Sequence, residues 1–273
     1  MNYTAIVPRT KKKAAGTLPS VANPVQMKRL KGKAKGIDLQ NVDFIAAAFQ
    51  GITTDEVPWV AGFPGDVANA DHRVWFGSSA LPVPRFIRAT HNNYICISCF
   101  RRAEDGKYRR RKDCWAGLYM VLLDDLNSKV PFTALRLEPS CLVETSPGNF
   151  QAWLFLKQPE RDQQKAQALI DGLIKAGASD PGAGNLTRYG RLPTGVNGKS
   201  AYAKDGQPFT QRVHVWEPSR RYTPGRIAQA YGFDLEAASK PRAKRTSGIK
   251  PAGPGYVSIL ERARLYLEPI RGI

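Results

Sequence analysis

The sequence predicts an α+β domain, and the order of its segments is the main reason. Short β-prone segments come first, one clear amphipathic helix follows over residues 160–176, and further strand and loop comes after it. This order differs from the regular alternation of strands and helices that builds a parallel sheet. The chain has 273 residues, of which 42% are hydrophobic, and that is enough to bury a substantial core.

Five segments are predicted strands. Residues 94–100 (YICISCF) form a short β-prone run, and residues 115–123 (WAGLYMVLL) form an apolar run typical of a buried central strand, which stops at an Asp pair. Residues 140–144 and 150–156 are two further strands, joined by a Thr-Ser-Pro-Gly-Asn segment that favours a hairpin. Residues 213–216 form a last short strand.

Helices are predicted where apolar residues recur at helical spacing next to a cap or a stop signal. They cover residues 38–50, which end at Gly51; 160–176, which end at Gly177; 223–231, with Thr223 as N-cap; and 257–267. Residues 52–90 are expected to form short strands and loops, and no regular element is predicted for residues 178–200.

The charge distribution indicates a polyanionic partner, nucleic acid above all. Lys and Arg number 41 against 23 Asp and Glu, a net charge of +18. Residues 1–36 and 237–256 carry +14 of this charge and no acid, and their composition predicts mobile segments that hold phosphates in a salt-dependent way. Basic tails that only aid solubility are the alternative.

We predict a flexible basic arm over residues 1–36, a folded domain over 37–216 and a helical extension with a basic linker over 217–273.

Asp124 and Asp125 follow the apolar strand directly. Neighbouring side chains on a regular strand face opposite sides, but a strand end can twist so that both carboxylates approach one site. Crowded carboxylates need compensating cations, and an oxygen-ligand pair suits Mg²⁺ or Mn²⁺. A solvated turn or a helix cap explains the pair equally well on spacing alone.

Two later segments carry polar groups that suit a nucleotide. In residues 144–153 (ETSPGNFQAW), Ser146, Asn149 and Gln151 lie on a turn that enters a strand, where they could contact a phosphate or a base. A hairpin with an amide cap is the alternative. Residues 177–199 form a Gly-rich loop that contains Asp180, Arg188, Arg191, Asn197 and Lys199. A carboxylate followed by spaced cations suits a metal–triphosphate site, although a basic surface loop has the same composition.

Taken in order, these segments resemble the RepB-type plasmid and phage replication primases, a branch of the archaeo-eukaryotic primase superfamily. The resemblance spans about residues 92–199 and includes NNYICISCF, a basic connection, an apolar strand ending LLDDL, then ETSPGNFQAWL and SDPGAGNLTRYGRLPTGVNGK. It implies an RRM-like α+β catalytic core in which Asp124, Asp125 and Asp180 are the catalytic and metal-binding acids. The chain departs from many members in two ways: Gln151 stands where they have a His, and its paired acids are adjacent.

The resemblance implies a DNA primase that uses Mg²⁺ or Mn²⁺ to make short primers on single-stranded DNA from nucleoside triphosphates, in plasmid or phage replication. The nucleotide would be bound by Ser146, Asn149, Gln151, Arg188, Arg191, Asn197 and Lys199, and the template by Arg101, Arg102, Arg109, Arg110, Arg111 and Lys112. No Walker motif is present, so a cooperating helicase would be a separate polypeptide. The alternatives are a non-catalytic DNA-binding replication protein of the same fold, and a different metal-dependent nucleotidyltransferase or nuclease.

Other protein classes have weaker support. The chain has no apolar run long enough for a membrane span and no apolar secretory signal, which predicts a cytoplasmic protein without a membrane partner. Cys96 and Cys99 lie within a strand pattern, where their side chains diverge, and this disfavours zinc binding. Three well-separated His residues exclude a His-paired metal motif. Trp153 and Phe155 are predicted core residues.

Overall fold

The computed structural model describes residues 37–239, which form an α+β structure around one large, mostly antiparallel sheet, as predicted. The strands are β1 (Val57–Phe63), β2 (Ser78–Ser79), β3 (Asn92–Phe100), β4 (Trp115–Leu126), β5 (Cys141–Ser146), β6 (Asn149–Glu160), β7 (Tyr189–Arg191), β8 (Val196–Asn197), β9 (Phe209–Thr210), β10 (Arg212–Trp216) and β11 (Arg221–Tyr222). The helices are α1 (Asn41–Ala48), α2 (Gln163–Lys175), α3 (Pro224–Ala230) and α4 (Leu235–Ser239). The predicted arm over 1–36 and the predicted helix over 257–267 lie outside the described residues.

The main sheet has nine strands. Its central path runs in the order β10, β5, β6, β4, β3, β1, β2. Two short strands join this path from the side, because β7 pairs antiparallel with β3 and β11 pairs parallel with β6. A separate ribbon is formed by β8 and β9.

The five predicted strands are confirmed, but the predicted end of the central strand is wrong. β4 continues through the Asp pair to Leu126, because its register against β6 shifts between Leu123 and Leu126. Asp125 adopts a left-handed backbone conformation (φ +57°) within that irregularity. Strands β7 and β8 were not predicted, because each has only two or three residues and takes its hydrogen-bonding partners from distant parts of the chain.

The predicted helices within the described residues are also confirmed, with shifted ends. The Asp162 carboxylate caps α2 by accepting from the backbone N–H groups of Gln164 and Lys165, and the Thr223 hydroxyl caps α3. Phe44 of α1 packs edge-on against the rings of Trp153 and Phe155, each 5.4 Å away. Trp153 and Phe155 of β6 are fully buried, as predicted.

The chain after residue 216 is joined to the sheet as far as it is described. Arg221 and Tyr222 pair with Phe155 and Leu156 of β6, and Glu236 of α4 bonds to Lys165 of α2 at 2.8 Å. The boundary between residues 37–216 and the extension therefore stays a prediction. Among the helices of residues 37–239, none has the length and apolar character needed to cross a lipid bilayer.

A glycine in β7 sets how closely this strand approaches the core. A Cβ atom at Gly190 would lie against the indole ring of Trp153 and 2.8 Å from Leu122 Cδ2. Since Trp153 is fully buried, its ring has no open space to move into. Only glycine allows β7 to lie between β3 and the β6 aromatics.

We expect Gly190→Ala to lower the free energy of unfolding by about 1–3 kcal/mol, the usual range for overpacking. The matched control is Gly225→Ala in α3, where an added Cβ meets no atom within 4 Å. That variant should be neutral or more stable by up to ~1 kcal/mol, because Ala favours a helix. Urea unfolding of both variants checks the pair, and equal effects would contradict the packing argument.

Candidate active site

The site lies where β3 and β4 separate. These strands pair only near Ser98, Cys99 and Phe100, and β7 pairs with the first half of β3 instead. β4 keeps its pairing with β6 up to Leu126. Asp124 therefore emerges from β4 opposite β7, and residues far apart in sequence meet around it.

Asp124 is buried, with 7% of its surface exposed, and every polar contact of its side chain is to a donor. Its Oδ1 accepts from Gln151 Nε2 at 2.9 Å and from the backbone N–H of Asp125 at 2.8 Å. Its Oδ2 pairs with Arg188 Nη2. The Asp124 backbone N–H donates to the hydroxyl of Ser179 at 3.1 Å, which ties β4 to the loop after α2. The Asp124 side chain is thus held in one position by these contacts.

Asp125 points to a different set of partners from Asp124. Its Oδ1 accepts from Asn149 Nδ2 at 3.1 Å, and its Oδ2 lies 2.8 Å from Lys129 Nζ. Partial burial opposes its ionisation, but the hydrogen bonds from Lys129 and Asn149 outweigh burial and hold the pKa of Asp125 below its ordinary value. The left-handed backbone at this residue departs from the alternation of a regular strand.

Asp180 joins the same cluster through Lys129. The Lys129 ammonium lies 3.6 Å from Asp180 Oδ1 while it also contacts Asp125. Three carboxylates and two basic side chains, Lys129 and Arg188, are therefore linked by ion pairs, and their formal charges sum to −1. We call this group the acid cluster.

The acid cluster differs from the predicted metal site in one respect. Within residues 37–239, no group of three His, Cys, Asp or Glu side chains is already placed to hold a metal ion. Asp125 and Asp180 face a common cation, the Lys129 ammonium, while Asp124 is directed to Arg188 and Gln151. The three acids are brought together, but a basic side chain lies between two of them.

Gln151 connects the acid cluster to β7. Its side chain donates to Asp124, and its Oε1 accepts from the backbone N–H of Arg191 at 2.8 Å. The Arg191 guanidinium is 6% exposed and donates to Asn197 Oδ1 at 2.9 Å, while it lies 4.8 Å above the ring of Tyr94. Burial lowers the pKa of Arg191, and Tyr94 and Asp124 oppose that change. Arg191 was predicted to contact the triphosphate, whereas in the structure its guanidinium is bonded to neighbouring protein groups.

The remaining predicted nucleotide residues lie at the edges of this network. Ser146 is buried opposite Asn149 at the β5–β6 turn. Asn197 donates to the backbone carbonyl of Thr145 at 2.7 Å, which joins β8 to that turn. Lys199 is exposed in the segment after β8, away from the bonds that hold Asp124.

The predicted DNA-binding cluster is partly neutralised by nearby acids. Three of its arginines form ion pairs: Arg101 with Asp55 and Glu56, Arg109 with Asp105, and Arg111 with Asp113. Arg102 lies 4.3 Å above the ring of Tyr108, and Lys112 is exposed. Arg110 reaches across to β7, where it lies 4.1 Å above the ring of Tyr189 and donates to the carbonyl of Thr187 at 2.6 Å.

Sequence reasoning missed two residues of the site, Lys129 and Ser179. Lys129 follows Asp125 by four residues, but that spacing indicates a pair only on a helix, and here it arises from a turn. Ser179 precedes the predicted Asp180 by one residue, and no pattern marks its bond to Asp124. The cysteine prediction agrees with the packing: Cys96 and Cys99 lie in separate hydrophobic clusters, and both are buried as free thiols.

Comparison with known proteins gives one family and three solved structures. The family model described as the RepB DNA-primase N-terminal domain matches residues 89–238, more than half of the chain. The AEP domain of the cyanophage S-2L primase-polymerase is 11% identical, with a TM-score of 0.48, over 70% of this chain and 96% of that one. None of the curated proteins matches the chain.

Two structures of the primase RepB′ are also similar. One is 19% identical, with a TM-score of 0.46, over 85% of this chain and 67% of that one. The other, the catalytic domain in complex with initiator DNA, is 18% identical, with a TM-score of 0.44, over 75% of this chain and all of that one.

We expect Lys129→Met to raise the pKa of Asp125, because it removes the ammonium that favours the carboxylate. Carbon-13 NMR titration of the aspartate carboxyl groups measures this directly. In the wild type the folded pKa lies below the ordinary value of 3.8, so ionised Asp125 stabilises the fold above that pH, and the stabilisation is lost as the pH falls through the lowered value. An unchanged Asp125 titration in the variant would show that Lys129 does not contact it in solution.

Proposed function

The chain belongs to the RepB DNA-primase N-terminal domain family, and from this premise we propose that it synthesises short primers on single-stranded DNA by nucleotidyl transfer. The observation that carries the proposal is the acid cluster, in which the adjacent Asp124 and Asp125 of β4 meet Asp180 from the loop after α2. A buried or crowded set of carboxylates is costly to hold without cations. Such a cluster is therefore better explained by a catalytic role than by stability.

The donor set fits Mg²⁺ or Mn²⁺. All three acids offer carboxylate oxygens, the ligands that hard divalent cations prefer. Two of these carboxylates already share a cation, because Lys129 Nζ lies 2.8 Å from Asp125 and 3.6 Å from Asp180. We propose that Asp124, Asp125 and Asp180 hold the metal when the Lys129 ammonium moves aside.

The residues around the acids would orient them and bind the nucleotide. When bound, Mg²⁺ or Mn²⁺ would lower the pKa of an attacking 3′-hydroxyl and neutralise charge on the transferred phosphate. Gln151 and Asn149 hold the paired carboxylates by hydrogen bonds, so we assign them positioning roles. Arg188 is half-buried and pairs with Asp124, and we assign it a contact with the triphosphate oxygens.

Other predicted nucleotide contacts take different roles in this proposal. Arg191 is buried and bonded to Asn197, so both would position β7 and β8 instead of contacting phosphate. Ser146 is buried at the hairpin and would shape that turn. Lys199 is exposed and stays a candidate for the nucleotide phosphates.

The proposed partners are a single-stranded DNA template, nucleoside triphosphates and a separate helicase. Phosphate contacts are assigned to the basic cluster, Arg101, Arg102, Arg109, Arg110, Arg111 and Lys112. Because its ion pairs with Asp55, Asp105 and Asp113 are exposed, DNA phosphates can replace those acids at little cost.

We expect Asp125→Asn to lower primer synthesis by about 100-fold or more, the scale on which a single electrostatic group acts in an active site. Asparagine tolerates the left-handed backbone of residue 125, so the variant removes charge with little strain. The assay supplies single-stranded DNA, nucleoside triphosphates and Mg²⁺ or Mn²⁺. Asp124→Ala tests the other member of the pair.

The matched control is Asp205→Asn, the same change at an exposed residue with a similar backbone (φ +51°). It should leave primer synthesis unchanged. Full synthesis by Asp125→Asn would overturn the proposed role of the acid cluster. Template degradation without products would indicate a nuclease, and template binding without either reaction would indicate a non-catalytic replication protein.

We also expect Lys129→Met to bind Mn²⁺ about two- to fivefold more tightly, because an exposed ion pair contributes up to ~1 kcal/mol and the variant no longer supplies a competing cation. Electron paramagnetic resonance of free Mn²⁺ measures the affinity without any reaction. Lys157→Met, at an exposed position of β6, is the control and should not change it. Equal or weaker binding by Lys129→Met would show that Lys129 does not occupy the metal position.

A further inference from the structure

An exposed aromatic side chain lies in the connection between β1 and β3. Phe76 ends a 3₁₀ helix, His72–Phe76, and 65% of its surface is exposed, more than any other large hydrophobic side chain among residues 37–239. We propose that Phe76 is a stacking platform for an unpaired base of single-stranded DNA. This inference rests on the template-binding part of the proposed function. It adds a contact with a template base that does not depend on the base sequence.

The backbone that carries Phe76 is held rigidly. The indole N–H of Trp59 donates to the Phe76 carbonyl at 2.7 Å, and Asp71 caps the 3₁₀ helix by accepting from the N–H of Arg73 at 2.8 Å. Gly77 follows with φ +66°, and a Cβ there would overlap the carbonyl oxygen of Val60. The chain therefore fixes the turn tightly and leaves the ring facing water.

The turn is also joined to the strands of the acid cluster. The Trp75 ring lies 4.8 Å from that of Tyr94 in β3, above which the Arg191 guanidinium lies. Arg110 Nη2 donates to the carbonyl of Trp75 at 3.3 Å, while its Nη1 donates to Thr187 next to β7. Phe76 thus lies on a turn that contacts β3 and Arg110, and it is not an isolated exposed residue.

Charge and shape favour nucleic acid as the occupant. Arg110 belongs to the basic cluster to which template phosphates are assigned, and it is bonded to the residue before Phe76. A basic surface with an exposed ring beside it is the arrangement that binds single strands through phosphates and base stacking together. Double-stranded DNA keeps its bases stacked on one another and would not use the ring. The 3₁₀ turn that carries Phe76 lies before residue 89, where the family match begins, so the family model does not include this residue.

The experiment compares two ligands that differ only in their bases. Fluorescence anisotropy measures affinity for a labelled oligothymidylate of about 20 nucleotides, a length that spans one or more such single-strand sites, and for a chain of the same length made of abasic sites. Neither metal nor nucleotide is added. Phe76→Ala should weaken binding of oligothymidylate by about fivefold or more, as loss of one base–aromatic stack does. Its affinity for the abasic chain should not change.

Two further variants control the comparison. Phe76→Trp should keep or increase the affinity for oligothymidylate, because indole also stacks on bases. Leu81→Ala, in the same connection and 50% exposed, should bind both ligands like the wild type. Thermal unfolding checks that the variants are folded. Because both side chains are exposed, their replacement should change the stability little.

Three results would overturn the platform: an unchanged affinity in Phe76→Ala, an equal loss on both ligands, or an equal loss in Leu81→Ala. Unchanged DNA affinity with a change in oligomeric state would instead assign the ring to a second copy of the chain. If the wild type makes no primers while Phe76→Ala loses base-dependent affinity, the catalytic proposal fails and the platform stands. If the wild type makes primers and Phe76→Ala binds DNA normally, the catalytic proposal stands and the platform fails.

Discussion

The meeting of three carboxylates with two basic side chains is the constraint on which the site depends. Asp124, Asp125 and Asp180 repel one another, and Lys129 and Arg188 offset most of that repulsion. The acids can meet because the packing of uncharged residues places them. Gly190 lets β7 approach the buried aromatics of β6, and Gln151 on β6 then bonds to both Asp124 and β7. The electrostatics of the site thus depend on the close packing of the core.

The elements that sequence predicts well are those whose signal is local. The apolar run of β4, the hairpin between β5 and β6 and the capped helices α2 and α3 carry their own pattern, and each appears where it was expected. β7 has no such pattern, because its three residues form a strand only when β3 offers an edge to pair with. The continuation of β4 past the Asp pair was hidden for a related reason, since it depends on a register shift against β6.

In the candidate site, the sequence indicated which residue types could act but did not indicate which partners each side chain would have. The three acids were singled out because adjacent carboxylates follow an apolar strand and Asp180 precedes spaced cations in a Gly-rich loop, and the resemblance to a family gave all three a common role. The sequence pattern did not predict which basic residues would be buried and which would pair with an acid. Arg188 and Arg191 are three residues apart, but one pairs with Asp124 while the other is buried against Tyr94. Lys129 was overlooked because its two acidic partners meet only after the chain has folded.

The contacts around β7 join distant parts of the chain, and this affects the order in which the site forms during synthesis. Asp124 and its partner Arg188 are separated by 64 residues, and Thr194 bonds back to Asn41, 153 residues earlier. Contacts across such separations close late, because the loop between them must first be ordered. During synthesis on the ribosome, Asp124 leaves the exit tunnel well before Arg188, the residue with which it forms an ion pair. A nascent chain therefore carries Asp124 without its ion-pair partner until Arg188 has emerged and β7 has inserted beside β3.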